Sequence, residues 1–145
     1  MAVTESDNEA LVQQYLSAFN DFDFDAMSEF LAEDVVEHGA HEELEGIEEI
    51  IDFLERYTEV FPDYSGTAEA VIAEDNLITV RFTASGTHTG EYRDIEPTGH
   101  ACEWTGIAIY RIEDNEIAEV WLEEDRLELL ETLEAVQPEV PHHFA

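Results

Sequence analysis

Three polar side chains are of types that can transfer a proton or stabilise the resulting charge: His38, Tyr15 and Asp125. Histidine titrates near neutral pH, so His38, on a short predicted strand beside Gly39, could remove a proton from an activated carbon. Tyr15 could donate a hydrogen bond to the enolate oxygen, and Asp125 could add an auxiliary carboxylate. The alternatives are structural: a hydrogen-bonded histidine at a pocket mouth, a core tyrosine and a helix-capping aspartate.

A second group of residues could line a ligand cavity. Trp104 alternates with Cys102, Gly106 and Ala108, so all four lie on one face of a predicted strand. Because three of them are small, they leave space in which Trp104 could contact an apolar ring. Ordinary core packing of Trp104 is the alternative.

His88 and His100 bracket a loop with the sequence THTGEYRDIEPTGH. Such a loop could form the rim or lid of a pocket, with Gly90 and Gly99 as its flexible points. A plain surface loop is the alternative.

Two metal motifs are incomplete. A calcium loop beginning at Asp21 would need glycine and glutamate where Ala26 and Ala32 stand. His38 and His41 lack the HExxH spacing of a zinc site. There is also no P-loop, dinucleotide-binding glycine motif or nucleophile elbow. We therefore expect neither a metal nor a cofactor.

The elements that would position these residues follow from the spacing of the apolar side chains. Helical spacing predicts a first helix behind a capping box at residues 6–9, then a short helix, and a third helix over residues 46–61 that Pro62 ends. A brief strand at 35–38 separates the second and third helices, and a last helix covers 126–135. Residues 136–145 form a loose tail.

Alternation with a period of two predicts four strands in two hairpins, 67–74 with 77–87 and 101–113 with 116–123. Helices followed by long antiparallel strands indicate an α+β fold, with the helices packed on one face of the sheet. Without repeats or linkers, the 145 residues predict one domain.

The charge is extreme, because 37 acidic residues face only five basic ones, all arginines, for a net charge of -32. The hydrophobic fraction of 44% is too high for a disordered acidic chain. Adaptation to high salt explains the composition, since salt screens repulsion between surface carboxylates. We expect stability to rise steeply with salt concentration.

The same charge excludes several partners and indicates a compartment. Nucleic acids and anionic membranes are disfavoured, because binding phosphate needs basic residues. A single cysteine, Cys102, fits a reducing compartment. No apolar run reaches membrane length and the N-terminal residues lack a signal-peptide core, so we expect a cytoplasmic protein.

Four stretches, in this order, resemble the SnoaL-like polyketide (ester) cyclases of the nuclear-transport-factor and ketosteroid-isomerase superfamily. They are LVQQYLSAFNDFDFDAMSEFLAEDVVEHG, FPDYSG, TASGTHTGEYRDIEPTGH and WTGIAIYRIEDNEIAEVW followed by Asp125. The resemblance implies a cone-shaped, strongly bent antiparallel sheet around helices, a pocket open at one end and a homodimer formed through the sheet.

The resemblance also assigns site positions, and this chain departs from several of them. The cyclases' catalytic aspartate on the final strand corresponds to Leu122, and their assisting histidine to Ala108. In the ketosteroid-isomerase pattern the helix tyrosine matches Tyr15, the base position holds His38, and the second acid again falls at Ala108. Neither catalytic set is complete.

These observations leave three hypotheses open. The leading one is a cofactor-free enzyme that acts on a small apolar carbonyl compound, with His38 as the proton shuttle and Tyr15 as the oxyanion donor. It predicts that His38→Ala and Tyr15→Phe abolish turnover. A non-catalytic domain that binds a small hydrophobic molecule, favoured by Leu122 and Ala108, is the second, and a dimeric assembly module is the third. Polar groups that converge inside an apolar cavity would favour the enzyme.

Overall fold

The computed structural model describes residues 4–39 and 42–133. In chain order the elements are α1 (Glu5–Asn20), α2 (Phe24–Glu29), β1 (Leu31–His38), β2 (Glu43–Glu45), α3 (Gly46–Val60), β3 (Ser65–Glu74), β4 (Leu77–Thr87), β5 (Ala101–Glu113), β6 (Glu116–Glu124) and α4 (Arg126–Thr132). The predicted tail at 136–145 lies outside the described residues.

The helices begin and end at recognisable signals. The capping box of α1 lies two residues before the predicted one: Thr4 accepts a hydrogen bond from the Asp7 amide, and the Asp7 carboxylate accepts one from the Thr4 amide, both at 3.1 Å. Helix α3 ends at Val60, just before Phe61 and Pro62, because proline cannot continue a helix.

The six strands form one curved, unclosed sheet in the order β2-β1-β6-β5-β4-β3, and the fold is α+β as predicted. Neighbouring strands are antiparallel except β1 and β6, which pair in parallel. The register is interrupted within three pairs, β1 with β6, β3 with β4 and β5 with β6. Such bulges bend strands and increase their twist, which lets long strands curve around the helices.

The inner face of the sheet holds the core, which divides into two clusters. The larger cluster packs α1, α2 and α3 against β1 and the sheet, with Val12, Met27 and Ile50 fully buried. The smaller cluster surrounds Trp104 and Phe61 and is covered by α4. A cavity remains between α1, α3 and the sheet. No helix among the described residues has both the length and the apolar character needed to cross a lipid bilayer.

Candidate functional site

A cavity of about 320 Å³ opens between α1, α3 and the inner face of the sheet. Its walls are largely aromatic, with seven phenylalanine or tyrosine side chains among the twenty lining residues. Two of its lining residues, Glu37 and Glu124, carry carboxylates. None of the described lining residues is basic, so the only charged groups of this largely apolar cavity are acidic.

Glu37 is the most unusual residue of the cavity. It lies on β1 and is 9% exposed, and its carboxylate has no hydrogen-bond partner among the described residues. Burial, and secondarily the charge of Glu124, raises the pKa of Glu37 from 4.5 to about 7. A carboxyl group with this pKa can both accept and return a proton at neutral pH.

Four tyrosines, Tyr15, Tyr57, Tyr64 and Tyr110, line the same cavity. Their hydroxyl groups have no hydrogen-bond partner among the described residues. None of the four oxygens is fully buried, so each of them faces open space. Burial raises the pKa of each phenol, and the nearby charge of Glu37 raises the pKa of Tyr15 and Tyr110 further. These phenols therefore stay protonated and available as hydrogen-bond donors.

Glu124, at the end of β6, is the second carboxylate of the cavity wall. The indole Nε1 of Trp104 donates to its Oε2 at 2.9 Å, and Arg126 Nη2 lies 3.4 Å from its Oε1. Burial raises the pKa of Glu124, while Arg126 and the Trp104 hydrogen bond lower it. Unlike Glu37, this carboxylate is already paired with donors.

Comparison with known proteins agrees with this architecture. The family model for the SnoaL-like polyketide cyclases matches residues 9–133. The chain belongs to the SnoaL-like polyketide cyclase family. No curated protein matches the chain at a significant level.

Solved structures of similar fold come from several bacteria. TsrD from Streptomyces laurentii is 25% identical, with a TM-score of 0.84, and the match covers 93% of this chain and 100% of that one. IdmH from Streptomyces antibioticus is 26% identical, with a TM-score of 0.76 and coverage of 88% and 98%. A SnoaL-like protein from Jannaschia sp. CCS1 is 20% identical, with a TM-score of 0.86 and coverage of 94% and 98%, which shows the shared fold alone.

His38 does not reach the cavity of this SnoaL-like domain, contrary to the placement expected from the sequence. Its side chain lies on the outer face of the sheet, where Nδ1 is 2.9 Å from Glu43 and Nε2 is 2.6 Å from Glu119. Its ring also stacks on Trp121. The cause is the alternation of β1, which turns Glu37 inward and therefore His38 outward.

Of the predicted site residues Tyr15, Leu122 and Asp125, two reach the cavity and one lies at the surface. Tyr15 and Leu122 line the cavity, as the sequence predicts. Asp125 does not, because it is exposed and caps α4 by accepting a hydrogen bond from the Glu128 amide at 3.0 Å. Asp125 therefore has the structural role that was the alternative at the sequence level.

Trp104 and Ala108 lie on the inner face of β5 but outside the cavity lining. Trp104 is 1% exposed and packs on Phe61 in the smaller core cluster, with ring centroids 5.1 Å apart. The space that Gly106 leaves is filled by Phe82, since a Cβ at Gly106 would lie 2.5 Å from that ring. Trp104 contacts the site from behind, through its hydrogen bond to Glu124 and its ring contacts with Tyr57 and Tyr64.

The loop between His88 and His100 does not form the rim of the cavity. His88 is fully buried, and its Nδ1 accepts a hydrogen bond from the Thr98 amide at 3.1 Å, whereas His100 is exposed. Gly90 fastens the loop to the end of α3, because its amide donates to the Val60 carbonyl at 3.2 Å. Burial lowers the pKa of His88, so its neutral form is favoured in this packed position.

Glu37 and Glu124 are the site residues that the sequence reasoning missed. The strand of Glu124 carried a usable signal, because Glu124 alternates with Val120 and Leu122, whereas Glu37 follows two apolar residues, Val35 and Val36, that leave the inner face of β1 undecided. In a chain with 37 acidic residues, however, two inward-facing glutamates are not distinguishable by type alone.

Proposed function

We propose that the chain catalyses cofactor-free proton transfer at a carbon next to the carbonyl group of a small apolar compound, with Glu37 as the proton acceptor. The observation that carries the proposal is an unpartnered carboxylate, 9% exposed, that faces an aromatic cavity. A structural carboxylate at such depth would be paired, since an isolated buried charge is costly. An unpaired one is typical of a group that must exchange a proton with a ligand.

The neighbouring phenols supply the second half of the chemistry. Removing a proton next to a carbonyl moves negative charge onto the carbonyl oxygen, and fixed donors in a dry site stabilise that charge strongly. Tyr15 and Tyr110 are the candidate donors, because both phenols interact electrostatically with Glu37 and have free hydroxyl groups. Protonated Glu37 then returns the proton to a different atom of the enolate.

The volume and lining of the cavity also limit the size, polarity and charge of the substrate. A space of about 320 Å³ accommodates one small ring system, and its aromatic walls favour apolar skeletons. Two buried carboxylates and no basic lining side chain disfavour anionic substrates. We therefore propose a neutral carbonyl compound.

Deuterium exchange into a neutral bicyclic ketone, 2-tetralone, tests the proposal. Exchange at its CH₂ groups is followed by proton NMR in 3 M KCl with the buffer rate subtracted. We expect wild-type protein to accelerate exchange and Glu37→Gln to lower the protein-dependent rate by about 10²- to 10⁴-fold. Tyr15→Phe should lower it by roughly tenfold or more. Full activity in folded Glu37→Gln would disprove the role of Glu37.

A non-catalytic ligand-binding domain is the second candidate. It is favoured by Leu122 and Ala108, apolar residues at the family's acid and base positions, which pair with each other across β5 and β6. The same experiment separates the two candidates, because this alternative predicts saturable binding of 2-tetralone with no exchange above the buffer rate. Binding is measured by the change in tyrosine and tryptophan fluorescence.

We also propose that two copies associate through the outer face of the sheet. This face exposes apolar side chains, among them Ile72 at 65%, Ile107 at 47% and Trp121 at 37%. It also carries two of the five arginines, Arg81 and Arg111, and Arg111 is paired with Glu113 and Glu119 of the same face. In a chain of charge -32, a partly apolar face on which arginines offset some of the acidic charge is where a second identical chain meets weaker repulsion.

Sedimentation in 3 M KCl tests this association. Wild-type protein should sediment as a dimer, and Ile107→Glu should sediment as a monomer, because it adds a charge to an apolar contact. Leu127→Glu, on α4 and similarly exposed at 46%, is the matched control and should remain dimeric. A monomeric wild type, or equal behaviour of the two variants, would rule out this interface.

A further inference from the structure

Glu124 is held by side chains from behind the cavity wall. Trp104 Nε1 donates to Oε2 of Glu124 at 2.9 Å, and Arg126 Nη2 lies 3.4 Å from Oε1. Arg126 Nη1 in turn donates to the hydroxyl of Tyr92 at 2.9 Å. Trp104, Arg126 and Tyr92 are all absent from the cavity lining, and Glu124 is the lining residue to which Trp104 and Arg126 are hydrogen-bonded.

The pairing makes the two cavity carboxylates unequal, because only Glu124 has donors that favour its ionised form. The side chains of Glu124 and Arg126 are only 11% and 15% exposed, so solvent screens their interaction weakly. Arg126 and Trp104 both favour the ionised form of Glu124. Glu37 has no comparable donor, and the charge of Glu124 opposes its ionisation.

We propose that Arg126 and Trp104 are positioning residues that hold Glu124 in the cavity wall as a carboxylate, and that this negative charge adds to burial in opposing the ionisation of Glu37. The inference rests on the proposed function for its catalytic meaning, since it explains how the proton acceptor is poised for its task. The electrostatic statement itself can be tested without turnover.

The other titratable groups around the pair do not change this assignment. Tyr15 from α1, Tyr57 from α3, Tyr64 from the turn that follows, and Tyr110 from β5 face the same cavity. Burial raises the pKa of all four, so they remain neutral over the range in which Glu37 titrates. Among the described residues that contact Glu124, Arg126 is the one that brings positive charge.

Difference infrared spectroscopy measures the relevant quantity directly. A protonated buried carboxyl group gives a resolved C=O band, which is assigned to Glu37 by its loss in Glu37→Gln. In wild-type protein we expect this band to disappear with a midpoint at about pH 7. Glu124→Gln should move the midpoint of Glu37 to lower pH by about one pH unit, because it removes a nearby like charge.

Arg126→Gln should move the midpoint in the same direction. Without the guanidinium group, Glu124 holds a proton at higher pH, so less negative charge opposes the ionisation of Glu37. The double variant Arg126→Gln/Glu124→Gln should have the midpoint of Glu124→Gln alone, since Arg126 acts through Glu124. Arg126→Lys should retain most of the wild-type midpoint, and Arg56→Gln, an exposed arginine on α3, should leave it unchanged.

Three results would overturn the inference: an unchanged midpoint in Glu124→Gln, an upward shift in Arg126→Gln, or a further shift in the double variant. If Arg126→Gln does not fold, Trp104→Phe, which removes the other donor to Glu124 and keeps an aromatic ring in the core, should still lower the midpoint. Deuterium exchange separates this inference from the proposed function. Exchange that survives in Glu37→Gln disproves the function. If Glu37→Gln loses exchange but the midpoint of Glu37 is unchanged in the Arg126 and Trp104 variants, only the roles of those two residues are disproved.

Discussion

Glu37 and His38 are neighbours in the chain, yet their side chains lie on opposite faces of β1. Glu37 points into the aromatic cavity, whereas His38 lies between Glu43 and Glu119 on the outer face of the sheet. Both residues are plausible bases by type. The direction of the strand's pleat therefore decides which of them can meet a ligand in the cavity.

Because only Glu37 faces the cavity, substitutions of Glu37 and of His38 should have very different effects on the exchange rate. We expect Glu37→Gln to abolish protein-dependent exchange of 2-tetralone, and His38→Ala to leave the exchange rate within about twofold of wild type. Because the ion pairs of His38 are partly exposed, His38→Ala should cost only about 1 kcal/mol of stability. Both rates are measured by NMR at equal fractions of folded protein. If His38→Ala lost exchange while Glu37→Gln kept it, His38 and not Glu37 would be the base.

Glu37 should also reduce stability at neutral pH. Its pKa is about 7 in the folded chain and near 4.5 when unfolded, so the folded state binds the proton more tightly. The stabilisation from this proton is complete below about pH 4.5 and is lost as pH rises through about 7. Above pH 7 the ionised carboxylate thus costs about 3 kcal/mol, which glutamine avoids.

Thermal unfolding in 3 M KCl checks this prediction. Glu37→Gln should melt at a higher temperature than wild type at pH 8 and at nearly the same temperature at pH 5. Glu69→Gln, at an exposed glutamate on β3, is the control and should show no such pH-dependent difference. A wild type more stable than Glu37→Gln at pH 8 would contradict the unpaired burial of Glu37.

Most of the fold could be predicted because its signals are local. The apolar spacing of α3 and the alternation of β4 and β5 give their bounds to within one residue. The hairpin turns are equally clear, since Asp75 and Asp114 adopt positive φ values of 53° and 52°, which aspartate tolerates well. The parallel pairing of β1 with β6 carries no local signal, because it joins residues more than 80 positions apart.

The site was harder to predict, for a reason visible in β1. Val35 and Val36 are both apolar, so alternation alone does not say which face of the strand is internal. A shift of one position exchanges Glu37 for His38 in the cavity. Family resemblance selected the histidine position, and only packing against α3, with Val35 fully buried, selects the glutamate.

Asp125 provides a test of a purely structural role. Asp125→Ala removes the side-chain hydrogen bond to the Glu128 amide and should cost about 1 kcal/mol of unfolding free energy. Asp125→Asn, also a favourable N-cap residue, should cost much less. Denaturant unfolding measures both, and neither variant should change the exchange rate once corrected for folded fraction. A selective loss of exchange in Asp125→Asn would indicate a catalytic carboxylate instead.

Salt dependence is the prediction that follows from the whole charge distribution. Screening lengths are about 10 Å at 0.1 M salt and about 3 Å at 1 M, so repulsion among surface carboxylates weakens steeply over this range. We expect the melting temperature to rise strongly between 0.1 and 3 M KCl. An unchanged melting temperature would contradict salt adaptation.

A local variant separates screening of charge from general effects of salt on hydrophobic packing. A groove beside α3 is lined by five acidic residues and a single arginine: Glu42, Glu49, Asp52, Glu55, Glu59 and Arg56. Neutralising three of the carboxylates with Glu49→Gln, Asp52→Asn and Glu59→Gln should raise the melting temperature at 0.1 M KCl and change it little at 3 M. If charge repulsion were not the cause, the gain would be the same at both concentrations, because any general effect of salt on hydrophobic packing acts on the variant and the wild type alike.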